Sequence, residues 1–209
     1  MRVISVNTGT AVPFANKTGC TAIDKRPRPG RVEVGSLGLD GDEICDLENH
    51  GGTDQAVYLY SLEDYAFWEK ELSRPLAPGL FGENLTVEGI VSTDAQVGDR
   101  YECGGFILEV TSPRIPCSTF AAHVGVSDMP ARFMAARRPG IYCRVVMPGT
   151  VGAGDAFVIT PATGATVTLG ELVETYPYKR ISEETRQRYL GTPLNGRMAA
   201  YLRGERAKP

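Results

Sequence analysis

The chain lacks most features that would announce a metal, redox or membrane protein. Histidine is nearly absent, with two in 209 residues. None of the five cysteines stands in a Cys-x-x-Cys pair, which argues against a structural zinc site, and their odd number argues against a disulfide scaffold. No iron–sulfur spacing, Walker loop or dinucleotide fingerprint is present. No apolar run approaches the ~20 residues of a membrane helix. Met1 to Asn7 has no charged-then-apolar leader layout and reads as a strand, so the expected location is the cytoplasm. An excess of positive charge is missing too: the net charge is −3 and the pI near 5.5, which speaks against a nucleic-acid binder.

What is present is enough for a packed core, with 42% hydrophobic and 22% charged residues. The first two-thirds read as short strands punctuated by glycine and proline: Arg2–Asn7, Thr21–Asp24, Arg31–Val34, Ala56–Tyr60, Phe106–Thr111, Ile141–Met147 and Ala156–Thr160. A helix follows Ser61, a good N-cap, with Leu62, Tyr65, Ala66 and Leu72 on one face. Another is expected over Met129–Ala136. Many strands with few helices predict a barrel or sandwich. The tail predicts three short helices, Thr168–Thr175, Ser182–Tyr189 and Pro193–Leu202, with Pro193 at a first helical position. Residues 179–209 carry eight basic and three acidic side chains. These read first as solvated helix faces, and second as a docking surface for an electron-donor protein or a second subunit.

Five irregular segments hold polar residues and glycines where a plain core would hold neither. In TAIDKRPRP, Lys25, Arg26 and Arg28 form either an anion clamp or a solvated turn. GSLGLDGD, residues 35–42, reads as a structural turn. In ENHGGTDQAV, His50 precedes two glycines that let backbone approach a ligand, and Asp54 is near enough to orient its ring. In GLFGENLTVEG, Glu83 and Asn84 stand at the mouth of a strand, either bonding a ligand or capping local backbone. In SPRIPCSTF, two prolines stiffen the approach to Cys117. Arg114 lies three residues before it and Ser118 opens a helix. A thiol between a guanidinium and a helix start is stabilised as thiolate, the form that binds soft metals and attacks electrophiles. His123 lies six residues on, but a helix turns it away from Cys117.

Taken in order, AIDKRP, GLDGD, HGGTDQAVY, FGENLT, VGD and SPRIPC resemble the MOSC family, and within it the YiiM-like subgroup. The resemblance covers roughly Met1 to Thr160. It implies a β-rich α+β fold, with a MOSC-type β-barrel over 1–162 and a short three-helix-like C-terminal region over 163–209. It implies molybdenum cofactor (molybdopterin), with Cys117 as the metal's thiolate ligand. Lys25, Arg26 and Arg114 would face phosphate or the oxo group, and His50, Asp54, Glu83 and Asn84 would belong to the cofactor pocket. The implied activity is reduction of N-hydroxylated compounds, such as hydroxylaminopurines and amidoximes, with electrons from an external donor protein. One departure is Gln55, where many relatives carry lysine. No membrane or nucleic-acid partner is implied, and the chain is expected as a monomer or homodimer. The alternatives are a sulfur-carrier or cofactor-delivery module holding a persulfide on Cys117, and a binding domain with an inert Cys117.

Overall fold

A computed structural model describes residues 1–206. In chain order the elements are β1 Arg2–Thr8, β2 Val12–Pro13, β3 Cys20–Thr21, β4 Arg26–Pro27, β5 Arg31–Gly35, β6 Gly38–Leu39, β7 Val57–Ser61, α1 Leu62–Leu72, β8 Leu85–Glu88, β9 Arg100–Cys103, β10 Phe106–Ser112, α2 Ser118–Val124, α3 Met129–Ala136, β11 Ile141–Met147, β12 Gly149–Gly152, β13 Val158–Thr160, α4 Leu169–Thr175, α5 Glu183–Leu190 and α6 Gly196–Leu202. Eight strands form one sheet in the order β13-β9-β10-β11-β7-β8-β1-β4. All its pairs are antiparallel except β7 with β8.

The sheet curls into a half-barrel. The chain entering β13 returns to the start of β1: Val3 N–H donates to Asp155 O at 2.8 Å, and Gly154 N–H donates to Val3 O at 2.8 Å. A register shift between Val3 and Ser5 bends β1 at that point. The fold is the expected β-rich α+β type.

β7 explains how two cores fit on one sheet. All five of its residues are buried, and strand alternation sends them to opposite faces. Val57 and Leu59 join an aliphatic cluster inside the curl with Val3, Leu85, Leu108 and Ile141. Tyr58 and Tyr60 point the other way, into an aromatic cluster with Trp68, Phe81, Phe120 and Phe133. The helical tail belongs to the inner cluster, to which it contributes Leu169, Leu172, Tyr189, Met198 and Leu202. Residues 207–209, and with them Lys208 of the basic tail, lie outside the described residues. Among the described residues no helix is long and apolar enough to cross a membrane.

Several local expectations shift. Ser61 caps α1 by accepting from Asp64 N–H at 3.1 Å, but the buried face is Asp64, Tyr65 and Trp68, while Ala66 is exposed. Tyr65 and Trp68 on that face pack into the aromatic cluster, and Asp64 beside them is paired with Arg138, 2.7 Å away. Pro193 precedes α6 and does not begin it; Asn195 caps that helix, its Oδ1 accepting from Arg197 N–H at 2.8 Å. The strand expected over Thr21–Asp24 is confined to Cys20–Thr21. The strands β9 and β12 were not expected, being four residues each with glycine at or beside them.

Phe133 is 1% exposed and its ring lies 5.1–6.3 Å from those of Tyr60, Trp68, Phe81 and Phe120. Truncating such a side chain costs ~3–5 kcal/mol. We expect Phe133→Ala to lower unfolding free energy by that amount in urea titrations. A loss under ~1 kcal/mol would place the aromatic cluster outside the cooperative core.

Candidate functional site

A pocket of about 750 Å³, including its open mouth, forms where β3, the loop from Asp42 to Gln55, the end of the Gly79–Asn84 loop and the β10–α2 turn converge. Its working end is made by SPRIPC. Pro113 and Pro116 fix the backbone after β10, and Cys117 becomes the N-cap of α2. Arg114, 5% exposed, turns its guanidinium between the rings of Tyr58 and Phe120, 5.2 and 4.6 Å from their centroids. It donates to Phe81 O, and no carboxylate among the described residues lies within ion-pair distance. A charge buried this way is costly unless another group answers it.

Cys117 answers it. Burial alone would raise the thiol. A hydrogen bond with His50, the charge of Arg114 and the N–H of Phe120 overcome that and take Cys117 from 9.0 down to about 6. About nine in ten molecules then carry thiolate at pH 7. Asp46 Oδ2 lies 3.6 Å from His50 Nδ1, within ion-pair range of the ring.

Lys25, Asp42 and Asn84 form the other wall. Asp42 accepts from Lys25 Nζ, from Gly9 N–H at 2.8 Å and from Asn84 Nδ2 at 2.8 Å. Asn84 Oδ1 accepts from Tyr58 N–H at 3.1 Å, which fixes the side chain at both ends. Burial lowers the Lys25 pKa, and Asp42 works against that shift. Gly79, at φ +91°, lets the FGEN loop pass Lys25: a Cβ there would sit 2.2 Å from Lys25 O.

Of the eight residues proposed from sequence, Lys25, His50, Asn84, Arg114 and Cys117 line this pocket. Three do not. Arg26 is 77% exposed and pairs with Asp24 at 2.7 Å; it follows Lys25 into the edge strand β4, so the two side chains leave the backbone on opposite sides. Asp54 faces the tail, accepting from Gly196 N–H at 2.8 Å and pairing with Arg144 at 3.0 Å. Glu83 is fully buried behind the loop, its Oε1 accepting from Tyr65, Gly79 and Thr86 at 2.6–2.8 Å. His123 stays outside the pocket, as the helix geometry required.

Sequence reasoning passed over Asp42, Tyr58, Tyr142 and Arg197. Asp42 lay in a segment read as a turn, and the tyrosines looked like ordinary strand residues. Arg197 carried no signal at all. From α6 it donates to Gln55 Oε1 at 2.6 Å and to the carbonyls of Leu47, His50 and Gly51 at 3.0–3.4 Å. The tail thereby holds the loop that presents His50. Among the described residues, Gln55 is the one side chain that Arg197 grips in that loop.

Comparison with known proteins identifies the family and the fold. The family model described as MOSC domain matches residues 46–158. The uncharacterized protein YflK of Bacillus subtilis (strain 168) is 38% identical over 154 residues, covering 73% of this chain and 70% of that protein. A protein named reductase from Gibberella moniliformis (strain M3125 / FGSC 7600) is 32% identical over 141 residues, 65% of this chain but 25% of that protein. The crystal structure of YiiM from Geobacillus stearothermophilus superposes with a TM-score of 0.82 at 25% identity, over 98% of each chain.

Two outcomes follow from the geometry. In metal-free protein, Arg197→Met should loosen the His50 loop and move Cys117 up from about 6, read as the pH dependence of iodoacetamide alkylation; an unchanged profile would deny the coupling. Glu83 has its pKa raised, by burial acting against the bonds from Thr86, Gly79 and Tyr65, and its Oε2 has no partner. Its contribution to stability is complete below the ordinary carboxylate range and is lost as pH rises through the raised folded value. The stability of Glu83→Gln relative to wild type should therefore improve as pH rises from the ordinary carboxylate range through the raised folded value. A constant or opposite difference in urea titrations would show that Glu83 stays ionised without cost.

Proposed function

The chain belongs to the MOSC domain family, and from that premise we propose that it is a molybdenum-cofactor-dependent oxidoreductase acting on N-hydroxylated compounds, with Cys117 as the metal's thiolate ligand. The observation that carries this reading is the thiolate itself, kept ionised by His50 and Arg114 at the wall of an open pocket.

The donor set fits such a cofactor. Among the described residues no cluster of three histidine, cysteine, aspartate or glutamate side chains could hold a bare metal ion. One thiolate suffices only for a metal that arrives already chelated, as molybdenum does on a pterin. A soft sulfur ligand suits it. Arg114 and Lys25 line the pocket; their charges are matched by the Cys117 thiolate and by Asp42, so they would serve the cofactor's anionic groups as N–H donors.

When bound, the cofactor supplies the two-electron step of R–NHOH + 2e⁻ + 2H⁺ → R–NH₂ + H₂O. The chain's own residues would bind, orient and protonate. His50, with its side chain 36% exposed, is placed beside Sγ to give a proton to the departing hydroxyl and to recover one from solvent. Tyr142, half-buried at the pocket wall, offers an aromatic surface for a planar base, with Tyr58 packed behind it at a ring-centroid distance of 4.6 Å. Electrons must come from outside, because the sequence carries no nicotinamide or flavin fingerprint. An acidic donor protein would find Lys179 and Arg203 along one groove of the tail, beside Arg186, which pairs with Glu183 at 3.3 Å. The relative named reductase accords with a redox role.

The test is metal analysis of protein produced in a molybdenum-cofactor-competent host, followed by reduction of an N-hydroxylated purine with a chemical donor. We expect near-stoichiometric molybdenum in the wild type and its loss, together with activity, in Cys117→Ser. Equal molybdenum in both proteins would remove Cys117 as ligand. Protein without molybdenum but with one extra sulfur atom on Cys117 would make the chain a sulfur carrier instead.

A further inference from the structure

Three of the five cysteines line the pocket, and the proposed function uses only Cys117. Cys20 closes the β2–β3 hairpin, paired with Pro13. Cys45 lies in the loop between Asp42 and His50. Both line the same stretch of pocket wall, Cys20 from the hairpin and Cys45 from the facing loop, and after burial a side-chain hydrogen bond with Cys20 is the next cause raising the Cys45 thiol. Neither is a core packing group; both are half-buried, whereas Cys143 is fully buried.

Both backbones are pinned on their own side of the gap. The Cys20 carbonyl accepts from Asn16 Nδ2 and Thr18 Oγ1, each at 3.0 Å. In the facing loop, Glu43 N–H donates to Gly9 O at 2.9 Å, and Glu43 Oε2 accepts from Ala11 N–H at 2.6 Å. The ion pair Lys17–Glu48, at 3.0 Å, spans the same two segments. Joining the two sulfurs would follow a connection that the chain already makes by polar contacts.

From this geometry we propose that Cys20 and Cys45 form a reversible disulfide in the pocket wall, driven by a small-molecule disulfide such as oxidised glutathione. The Cys20 thiolate attacks one sulfur of the small disulfide, whose S–S bond breaks. The expelled thiolate keeps that bond's electron pair and takes a proton from water. Cys45 then loses its proton to solvent and attacks the Cys20 sulfur, and the second small thiolate leaves. Two protein thiols are oxidised, and one small disulfide is reduced to two thiols. Cys20 leads because burial, and then Cys20 itself, push Cys45 up to about 11. The bridge would tie the hairpin to the loop that carries His50.

The test uses the full chain with Cys117→Ser, so its outcome does not depend on the molybdenum reading. Oxidised glutathione should lower the count of free thiols in denaturant from four to two, since one of the five cysteines is already replaced. Peptide mass mapping should find Cys20 joined to Cys45, and dithiothreitol should release them. Adding Cys45→Ser should trap a glutathione adduct on Cys20. If both thiols stay free, or each ends as a separate glutathione adduct, the proposal is overturned.

Discussion

Arg114 is buried between two aromatic rings with no carboxylate within ion-pair distance among the described residues, and the negative charge that meets it is the Cys117 thiolate. Much of the pocket follows from this arrangement. Two prolines set the path of the backbone, so guanidinium and thiol, three residues apart, face the same space. Tyr58 and Phe120, which sandwich the cation, also belong to the aromatic cluster on the outer face of β7. The packing that stabilises the fold therefore also fixes where the charge sits, and thiolate survives a degree of burial that would otherwise protonate it.

The second constraint runs through the tail. His50 sits on a loop with little regular structure, and a loop alone would not hold an imidazole against a sulfur. Arg197 grips that loop at four acceptors, and Asp54 ties its end to the start of α6. The helical region thus shares a core with the sheet and completes the setting of the site. Glu83 and Asn84 illustrate the division of labour among neighbours in one motif. Glu83 holds the Gly79–Asn84 loop together from behind, whereas Asn84 spends both ends of its amide joining Tyr58 to Asp42 at the pocket wall.

How much of this was legible in the sequence depends on the range of the interaction. Phe106–Thr111 and Ile141–Met147 were readable because apolar residues recur at every second position, although Phe106–Thr111 is buried on both faces and only Ile141–Met147 has a partly exposed one. Ser61, Thr168 and Ser182 were readable as helix starts because capping is local. Cys117 stood out because prolines and an arginine crowd it within a few positions. Arg26 and Asp54 neighbour pocket residues in sequence, yet Arg26 turns away as the chain enters β4, and Asp54, in the tight turn Thr53–Gln55, faces the tail. Arg197, more than a hundred residues from the loop it holds, could not be found by any local rule. Cys20 and Cys45 meet only because the β2–β3 hairpin folds against the Asp42–His50 loop.

The central claim is that the pocket keeps one sulfur ionised near neutrality. Its most direct test is a titration of the thiolate ultraviolet absorbance of metal-free protein, with Cys117→Ser as the blank. The difference should rise with a midpoint of about 6. A midpoint near the ordinary cysteine value of ~8.5 would mean that Arg114 and His50 do not hold the charge, and would contradict the account.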